Sequence, residues 1–348
     1  MLKFGIVGAG MIAQYGFDGI TASGAAEVIA IADPHQGRAQ EFARRNRVRE
    51  VLSDAKDVFR NSSIDAVYIA TPTVHHAQYA IAAFEAGKHV LLEKPFAFSF
   101  ADARKVVDAG AKSGKTFMLG MNYRFEKGAQ QVRALSERGY FGEIHRIRAI
   151  WRRRSGAPRL GTWFGNKKMA GGGCLMDIGV HVIDLALWTS LSFDAASVSA
   201  AVYSKFGSRG LGEGGWGAST PEGLAFDVDD SASAFIRMKS GATIQVEVSW
   251  VAHQKEDDAH EIELFGTEAG ARVASAEVYR TDPDLSAPVD VTDLGVPLAY
   301  PHCNKFVNFV RSILGQEKMC VLPDQVLAVQ RIIDAAYQSS ASGREVLL

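Results

Sequence analysis

The sequence has few cysteines, no excess of charge of either sign and no long apolar run. Its 348 residues include three cysteines, Cys174, Cys303 and Cys320. These are too few and too scattered for a disulfide framework or a zinc site, so we predict free thiols and no metal. The formal net charge of -1 excludes a global field that would favour nucleic acid or an anionic membrane. We also expect no membrane span, because no window approaches the roughly 18 apolar residues that one requires.

The remaining composition is that of an ordinary globular protein, with 47% hydrophobic and 22% charged residues. The length suggests roughly two domains of about 150 residues each. The N-terminal stretch MLKFGIVGAG begins a predicted strand at once and leaves no room for a signal peptide. Together with the free thiols, this predicts a cytoplasmic protein.

Residues 1–122 alternate apolar runs with segments of helical spacing. The predicted strands are LKFGIVGAG, AEVIAIADP, a short one around Val51, DAVYIATP, HVLLEKP and TFMLGMNY. This alternation predicts a doubly wound parallel sheet with helices on both faces, which is the α/β arrangement of a Rossmann domain. We therefore predict that residues 1–122 form a dinucleotide-binding domain.

A dinucleotide fingerprint, GAGMIA, occupies residues 8–13 at the end of the first predicted strand. Gly8 permits the tight turn, Gly10 lets the backbone approach a pyrophosphate, and Ala13 is small enough for close packing of helix on strand. Asp33 ends the second predicted strand, where a carboxylate would accept hydrogen bonds from the adenosine ribose. The fingerprint in this context predicts NAD or NADP as the cofactor.

The choice between the two cofactors rests on Asp33 and Arg38. The carboxylate of Asp33 would repel the 2′-phosphate of NADP, which favours NAD. An arginine at position 38 could instead pair with that phosphate, or it could be a solvated charge on a helix. We predict NAD, with NADP as the alternative.

Residues 123–348 have the period-two alternation of strands. The stretches EIHRIRAIWRRR, ASAFIRM, ATIQVEVSW and HEIELFG all alternate, and KSGA between two of them predicts a hairpin. We predict an α+β domain with a large, mainly antiparallel and open-faced sheet, whose C-terminal helix is able to pack back on the first domain. A glycine-rich loop at residues 206–223 is long enough to be functional, over the substrate site or near a partner subunit.

The stretch GGGCLMDIGVHVIDL, residues 171–185, is apolar with helical spacing but carries Asp177, His181 and Asp184 at i, i+4 and i+7. A helix would place all three on one face. Such a row faces either water or a site of proton chemistry.

The chain resembles the glucose–fructose oxidoreductase and inositol dehydrogenase family of NAD(P)-dependent sugar oxidoreductases. The resemblance covers essentially the whole chain and rests on GIVGAGMIA, IADP, ATPTVHHAQYAIAAFEAGKHVLLEKP, MNYRF and GGGCLMDIGVHVIDL, in that order. One departure is Thr73, where relatives often have asparagine. The resemblance implies hydride transfer between nicotinamide and a secondary hydroxyl of a sugar, glycoside, inositol or related polyol. It also implies a homodimer or homotetramer that pairs through the C-terminal sheet.

The resemblance also implies roles for particular residues. Lys94 would polarise the hydroxyl, His181 would be the base, and Asp177 would hold or orient the substrate, with the glycines of residues 171–179 admitting it closely. The implied cofactor-binding residues are Gly8, Gly10, Met11, Ile12, Asp33, Arg38, Thr71, Pro72, His76, Glu93, Lys94, Asn122 and Arg124. The candidate substrate-binding residues are Lys94, Arg153, Trp163, Asp177, His181 and His302, with Arg154 as a further candidate. For Asp184 the sequence leaves packing and a role in the site equally open.

Two other functions fit the same motifs. A redox-assisted glycosidase would use the same lysine, histidine and NAD, and would release free aglycone without net NADH. A non-catalytic, dinucleotide-sensing regulator would not need Lys94, Asp177 and His181 together, and the sequence has no DNA-binding segment or basic tail. We therefore take the dehydrogenase as the leading hypothesis.

Overall fold

A computed structural model describes residues 1–217, 225–284 and 286–348 of the chain. They form two compact units, Met1–Asn122 with Asn304–Leu327, and Tyr123–Cys303 with Ala328–Leu348.

The strands and helices are numbered in chain order. The strands are β1 (Leu2–Val7), β2 (Ala26–Ala32), β3 (Glu50–Leu52), β4 (Ala66–Ile69), β5 (His89–Leu92), β6 (Phe117–Leu119), β7 (Ile144–Arg153), β8 (Ala195–Tyr203), β9 (Ser231–Met238), β10 (Thr243–Ser249), β11 (Asp258–Gly266), β12 (Gly270–Arg272), β13 (Glu277–Asp282), β14 (Ala287–Val291) and β15 (Val346–Leu347). The α-helices are α1 (Met11–Thr21), α2 (Gln36–Asn46), α3 (Ala55–Arg60), α4 (His76–Glu85), α5 (Phe100–Ser113), α6 (Lys127–Glu137), α7 (Lys167–Ala170), α8 (Val180–Thr189), α9 (Lys305–Ile313) and α10 (Pro323–Ser342).

The first unit is built on a six-stranded parallel sheet with the order β3-β2-β1-β4-β5-β6. The strand order reverses between β1 and β4, and in such sheets ligands bind at the carboxyl ends of the strands beside this reversal. Strands β4 and β5 are almost wholly buried, as expected for a parallel sheet covered on both faces. The predicted doubly wound sheet is confirmed.

Helix α9 belongs to this first unit although it comes from near the C-terminus. The ring of Phe306 lies edge-on to Tyr68 with a centroid distance of 5.1 Å, and the ring of Phe309 lies 6.1 Å from that of Phe4. A methyl group at Gly19 would come within 2.2 Å of Phe306, so only glycine lets α1 approach α9 this closely.

The second unit is built on a nine-stranded sheet with the order β14-β13-β12-β11-β7-β10-β9-β8-β15. Neighbouring strands are antiparallel except β7 and β10, which are parallel. The predicted hairpin is the β9–β10 pair, in which Ile244 lies opposite Ile236. The prediction of a mainly antiparallel sheet is confirmed.

The two faces of this sheet differ in polarity. On β10, Ile244, Val246 and Val248 are buried, and they share the face that α8 covers. On the other face, ion pairs join Arg148 to Glu263 at 3.0 Å and Arg152 to Glu247 at 3.2 Å. The second face is therefore polar, with neighbouring charges of opposite sign.

The helical region that ends with α8 corrects one expectation from the sequence. Within the described residues, Lys167–Thr189 is long and apolar enough to cross a membrane, with a mean hydropathy of 1.4. By length and composition alone, therefore, the expectation that no stretch of the sequence resembles a membrane-spanning helix is wrong. However, 94% of this window is buried inside the protein, because the helix packs on the nine-stranded sheet. It is a core helix.

The described part of the glycine-rich loop, residues 206–217, is held by its own chain. Backbone hydrogen bonds run from Ala157 to Gly212 at 2.9 Å, from Gly214 to Ala157 at 2.8 Å and from Arg159 to Trp216 at 2.9 Å. These hydrogen bonds order this part of the loop within its own chain. Residues 218–223 of the predicted loop lie outside the described residues.

Candidate active site

The glycine turn in the first unit leaves room for a dinucleotide. Gly8 has a φ of 100°, and a methyl group there would lie 2.5 Å from the carbonyl oxygen of Ala70. At Gly10, the residue before α1, a methyl group would meet no atom within 4 Å. The first turn of α1 thus opens onto unfilled space, where backbone N–H groups can donate hydrogen bonds to a pyrophosphate. Met11 and Ile12, which begin that helix, are both exposed.

Asp33 has a structural task that the sequence did not reveal. Its Oδ2 accepts a hydrogen bond from the Ala9 amide at 2.8 Å, and its Oδ1 accepts one from the His35 amide at 2.7 Å. The carboxylate therefore holds the glycine turn against the end of β2. Each oxygen keeps a second lone pair that a ribose hydroxyl could use. Arg38 lies exposed on α2.

The segment after β4 brings further polar groups to the glycine turn. A methyl group at Gly8 would also lie 3.3 Å from the amide nitrogen of Thr71, so Thr71 and Pro72 border the turn. Across the described chain, the buried hydroxyls of Thr71 and Thr73 find no hydrogen-bond partner. Such orphaned groups at an open turn fit a bound polar ligand.

His76 is buried beside two backbone carbonyl groups. Its Nδ1 lies 2.7 Å from the carbonyl oxygen of Pro95, and its Nε2 lies 2.9 Å from that of Thr71. Burial lowers the pKa of His76, and its two carbonyl neighbours oppose that shift. The His76 ring thus ties the loop after β4 to the loop after β5, and its role in cofactor binding stays a prediction.

Glu93 also faces the interior, and its contact with the cofactor stays a prediction. Its Oε1 accepts hydrogen bonds from Tyr68 at 2.7 Å and from Lys305 at 2.5 Å, and its Oε2 lies 3.3 Å from the Lys94 amide. Burial alone would raise the pKa of Glu93, but Lys305 and Tyr68 outweigh it and lower the pKa. Glu93 is therefore a buried carboxylate that fixes the backbone at Lys94.

Lys94 itself follows β5 and is partly exposed. The Lys94–Pro95 peptide bond is cis. The lysine thus leaves the carboxyl end of a central strand, next to a carboxylate that is locked in place.

In the second unit, Asp177 and His181 lie on consecutive turns of one helical segment. Residues Leu175–Gly179 form a π-helix that runs into α8, which corrects the plain α-helix expected from the spacing. Asp177 is 9% exposed and accepts a hydrogen bond from the Trp250 indole at 3.0 Å. His181 is 5% exposed. Single π-helical turns occur frequently at functional sites.

The space beside the glycines that precede this helix is occupied by other atoms of the protein and leaves no room for substrate. A methyl group added to Gly172 would lie 2.2 Å from the Tyr337 hydroxyl oxygen. One added to Gly173 would lie 1.8 Å from the carbonyl oxygen of Asp229. At Gly179, it would lie 2.9 Å from the side chain one turn before. The expectation that these glycines let substrate approach is therefore wrong, because neighbouring protein atoms fill that space.

Arg124 and Asp184 form a buried ion pair. The guanidinium donates to Asp184 twice, at 2.8 Å from Nε and at 2.6 Å from Nη2, and it lies over the Trp188 ring at 5.6 Å. Arg124 is 0% exposed, and its contact with the cofactor stays a prediction. Asp184 packs in the core, which decides between the two roles that the sequence left open.

Aromatic residues that the sequence analysis missed surround His181. The Tyr123 ring lies edge-on to the imidazole at 4.8 Å, and Trp151 lies 6.0 Å from it. His260 lies 4.5 Å from Trp151. In the described parts of the chain, Trp151 Nε1 and His260 Nε2 are buried without a hydrogen-bond partner. Period-two alternation along β7 could have placed Trp151 on the buried face; nothing local marks His260.

The protonation of this aromatic group is set mainly by burial. Burial raises the pKa of Tyr123 to about 12, with a smaller contribution from Glu126. Burial also lowers the pKa of His260. At neutral pH the cluster therefore presents a phenol and a neutral imidazole beside His181.

The other substrate candidates lie in different places. The Arg153 guanidinium lies over Trp151 at 4.7 Å, and so belongs to the group around His181. Trp163 stacks on its neighbour Phe164 at 3.8 Å. His302 lies 6.2 Å from the ring of Phe125. Arg154 is largely exposed, and Asn122 is exposed at the end of the first unit.

Comparisons with known proteins agree with this arrangement. The model of the oxidoreductase family with an NAD-binding Rossmann fold matches residues 2–121, and that of the GFO/IDH/MocA C-terminal domain matches residues 129–272. The D-glucoside 3-dehydrogenase of Escherichia coli is 30% identical to this chain over 355 aligned residues, covering 100% of the chain and 97% of that enzyme. The levoglucosan dehydrogenase of Pseudarthrobacter phenanthrenivorans is 34% identical over 253 residues, which are 70% of the chain and 63% of that enzyme.

A solved structure is similar over the same length. Levoglucosan dehydrogenase in complex with NADH and levoglucosan gives a TM-score of 0.82 at 25% identity and covers 99% of both chains. The Rossmann sheet with its open glycine turn, followed by a large mixed sheet, defines a nicotinamide-dependent oxidoreductase. The chain belongs to the oxidoreductase family with an NAD-binding Rossmann fold and a GFO/IDH/MocA C-terminal domain, which confirms the resemblance found in the sequence.

The buried pair of Lys305 and Glu93 gives a first prediction. Lys305→Met keeps the side-chain length and removes the ammonium that stabilises the carboxylate. Breaking one partner of a buried ion pair costs about 3–5 kcal/mol, and we expect a loss of that order in the free energy of unfolding, measured by urea titration. The double variant Lys305→Met/Glu93→Gln should regain most of it, because it removes both charges.

Lys56→Met on the exposed surface of α3 is the matched control and should leave stability unchanged. Because the pKa of Glu93 is lowered, its contribution to stability is present above its ordinary value of 4.5 and is lost as the pH falls below that value. A Lys305→Met protein as stable as the control would contradict this account of the pair.

Proposed function

We propose that this oxidoreductase transfers a hydride between NAD and a secondary hydroxyl of a sugar, glycoside, inositol or related polyol. The observation that carries the proposal is the buried pair of Asp177 and His181, set among aromatic rings on a single helical segment. The named relatives, a D-glucoside 3-dehydrogenase and a levoglucosan dehydrogenase, support a sugar substrate.

Three side chains carry the proton chemistry in this proposal. His181 takes the hydroxyl proton during oxidation and returns it during reduction, which is the general acid–base role that histidine plays most often in enzymes. Asp177, oriented by the Trp250 indole, accepts a hydrogen bond from a substrate hydroxyl. Lys94 donates to the oxygen that becomes the carbonyl. When bound, the nicotinamide supplies the hydride acceptor.

The residues of the first unit fit a dinucleotide. Backbone amides at Gly10, Met11 and Ile12 would hold the pyrophosphate, and Asp33 would accept from the ribose. The open space at Gly10 and the orphaned hydroxyl of Thr71 support this fit. We infer that NAD binds in preference to NADP, because the carboxylate of Asp33 would lie where the 2′-phosphate would have to be.

A direct test of the activity is a screen of sugars, glycosides and inositols with NAD and with NADP, followed by the absorbance of reduced nicotinamide. We expect reduction of the cofactor with at least one pyranoside or polyol. Release of free aglycone without net reduction would instead indicate the redox-assisted glycosidase. Lack of turnover with every sugar and polyol would contradict both enzymatic functions.

Cofactor choice can be tested at Asp33. Asp33→Asn removes the charge but keeps an oxygen for one of the two backbone amides that Asp33 holds. We expect calorimetry to show weaker NAD binding and a smaller preference over NADP. Arg38→Ala is the comparison variant and should leave NAD affinity unchanged. A wild type that prefers NADP tenfold, about 1.4 kcal/mol, would show that Arg38 governs the choice.

The proton-transfer roles can be tested with Lys94→Ala and His181→Ala. Each should reduce turnover by about a hundredfold or more, which is the usual scale for losing a positioned acid or base. Each should keep its cofactor affinity within a few-fold of wild type, measured by calorimetry. Near-normal turnover in either variant would remove that residue from the mechanism.

We also propose that the protein is a homodimer or homotetramer that pairs through the polar face of the nine-stranded sheet. The complementary charges on that face, Arg148 with Glu263 and Arg152 with Glu247, suit a wet, polar interface. Light scattering at micromolar concentration should give a multiple of the 37.6 kDa chain mass. A single species at the chain mass would exclude the oligomer.

We propose a cytoplasmic location as well. The three cysteines, Cys174, Cys303 and Cys320, are free thiols, as suits a reducing compartment.

A further inference from the structure

Three aromatic side chains in the second unit form a partly exposed cluster that the proposed mechanism does not use. Trp163, Phe164 and Trp216, here called the aromatic platform, are neither buried nor fully exposed. The rings of Trp163 and Phe164 stack with centroids 3.8 Å apart, and Trp216 lies edge-on to Phe164 at 4.9 Å. Partly exposed aromatic rings gathered at one place are typical of a binding surface.

The platform is held rigidly by its own chain. The Trp216 indole donates to the Gly156 carbonyl oxygen at 2.9 Å. The Arg159 amide donates to the Trp216 carbonyl oxygen, also at 2.9 Å. The segments that carry Trp163 and Trp216 are therefore tied together before any ligand binds, which reduces the entropy that binding would cost.

A single ring connects the platform to Asp177. Trp216 lies edge-on to Trp250 with a centroid distance of 6.3 Å, and the Trp250 indole donates to Asp177 Oδ2 at 3.0 Å. The platform thus begins one aromatic residue away from the carboxylate proposed to hold the reacting sugar. That separation suits a ligand with a second ring attached to the first.

The surroundings of the platform favour an uncharged ligand with an apolar face. Leu160 is 45% exposed and Leu211 is 41% exposed, and they lie in the same two segments as the platform. Arg159 and Glu213, one from each segment, pair with each other at 3.7 Å, so that their charges compensate. Aromatic faces attract the C–H or ring edges of such a ligand.

We propose that the aromatic platform binds the aglycone of a glycoside substrate, whose sugar ring is oxidised beside Asp177. The inference rests on the proposed function and narrows it: the substrate is a neutral glycoside with an aryl or pyranose ring as aglycone. Free inositols and monosaccharides, which lack a second ring, would leave the platform empty.

The test compares three substrates that share one sugar: the methyl glucoside, the phenyl glucoside and a glucose disaccharide. In the wild type, kcat/KM should be about five- to tenfold higher for at least one ring-bearing substrate than for the methyl glucoside. Phe164→Ala should abolish that preference and leave kcat/KM for the methyl glucoside within about twofold. Tyr140→Ala, which removes an aromatic ring outside the two segments, should change neither.

Calorimetric titration with the phenyl glucoside gives a readout that does not need turnover. Binding that weakens in Phe164→Ala but not in Tyr140→Ala supports the platform even if no glucoside is oxidised, in which case the proposed function alone fails. Equal kcat/KM for methyl and ring-bearing glucosides in the wild type, with Phe164→Ala unchanged, overturns the platform while the oxidoreductase function stands. Preference for the phenyl glucoside or for the disaccharide identifies the ring as aryl or pyranose.

Discussion

The carboxylate of Asp229 holds the start of the helical segment on which the second unit's candidate site depends. It accepts hydrogen bonds from the Gly173 amide at 2.7 Å, from the Leu175 amide at 2.9 Å and from the Tyr337 hydroxyl at 2.8 Å. A buried carboxylate is costly unless such donors surround it, and each bond to a charged group contributes about 1.5–3 kcal/mol. The π-helix that carries Asp177 therefore begins from a fixed point, and glycine is required at residues 172 and 173 because Asp229 and Tyr337 occupy the space of a side chain.

At three other places a buried charged side chain likewise fixes the backbone beside a candidate functional residue. Asp33 fixes the glycine turn through the Ala9 amide. Glu93, locked by Lys305, fixes the backbone at Lys94. Arg124 is locked by Asp184, and so fixes the chain beside Tyr123. In each case the charged side chain is paired or hydrogen-bonded inside the protein, and the residue beside it remains available to bind a ligand. Groups that are held in place before binding need no reorganisation during the reaction.

These buried charged residues also explain which parts of the fold and the candidate site could be predicted from the sequence. The apolar runs of the first 122 residues predicted all six parallel strands, because a sheet buried on both faces leaves an unmistakable pattern. The motifs drew attention to Lys94, Asp177 and His181 as candidate site residues. They could not tell which way a neighbouring side chain points, and so did not predict that Glu93, His76 and Arg124 are buried. Lys305, the partner of Glu93, lies 212 residues away in the chain, and no local pattern can supply such a pairing.

In the second unit, the positions of the strands along the chain were easier to predict than the way in which the strands pair. Alternation identified β7, β9, β10 and β11, but the parallel pairing of β7 with β10 depends on connections that periodicity does not encode. Strand β8, in AASVSAAVY, lacks the large apolar residues that mark a buried face. The π-helical turn escaped notice because over five residues its period differs little from that of an α-helix.

The polar atoms left without partners beside His181 bear on the kind of molecule that completes this site. A buried donor or acceptor without a hydrogen bond costs about 1–3 kcal/mol, and in the described structure both Trp151 Nε1 and His260 Nε2 are in this position. The indole can only donate, whereas a neutral imidazole nitrogen either donates or accepts, depending on its tautomer. A hydroxyl group does both, and a polyol presents several at fixed spacing on one ring. An apolar ligand would leave both atoms unpaired, and an ammonium could not accept from the indole. These two atoms in the second unit are therefore better matched by a hydroxyl-bearing molecule than by an apolar ligand or an ammonium.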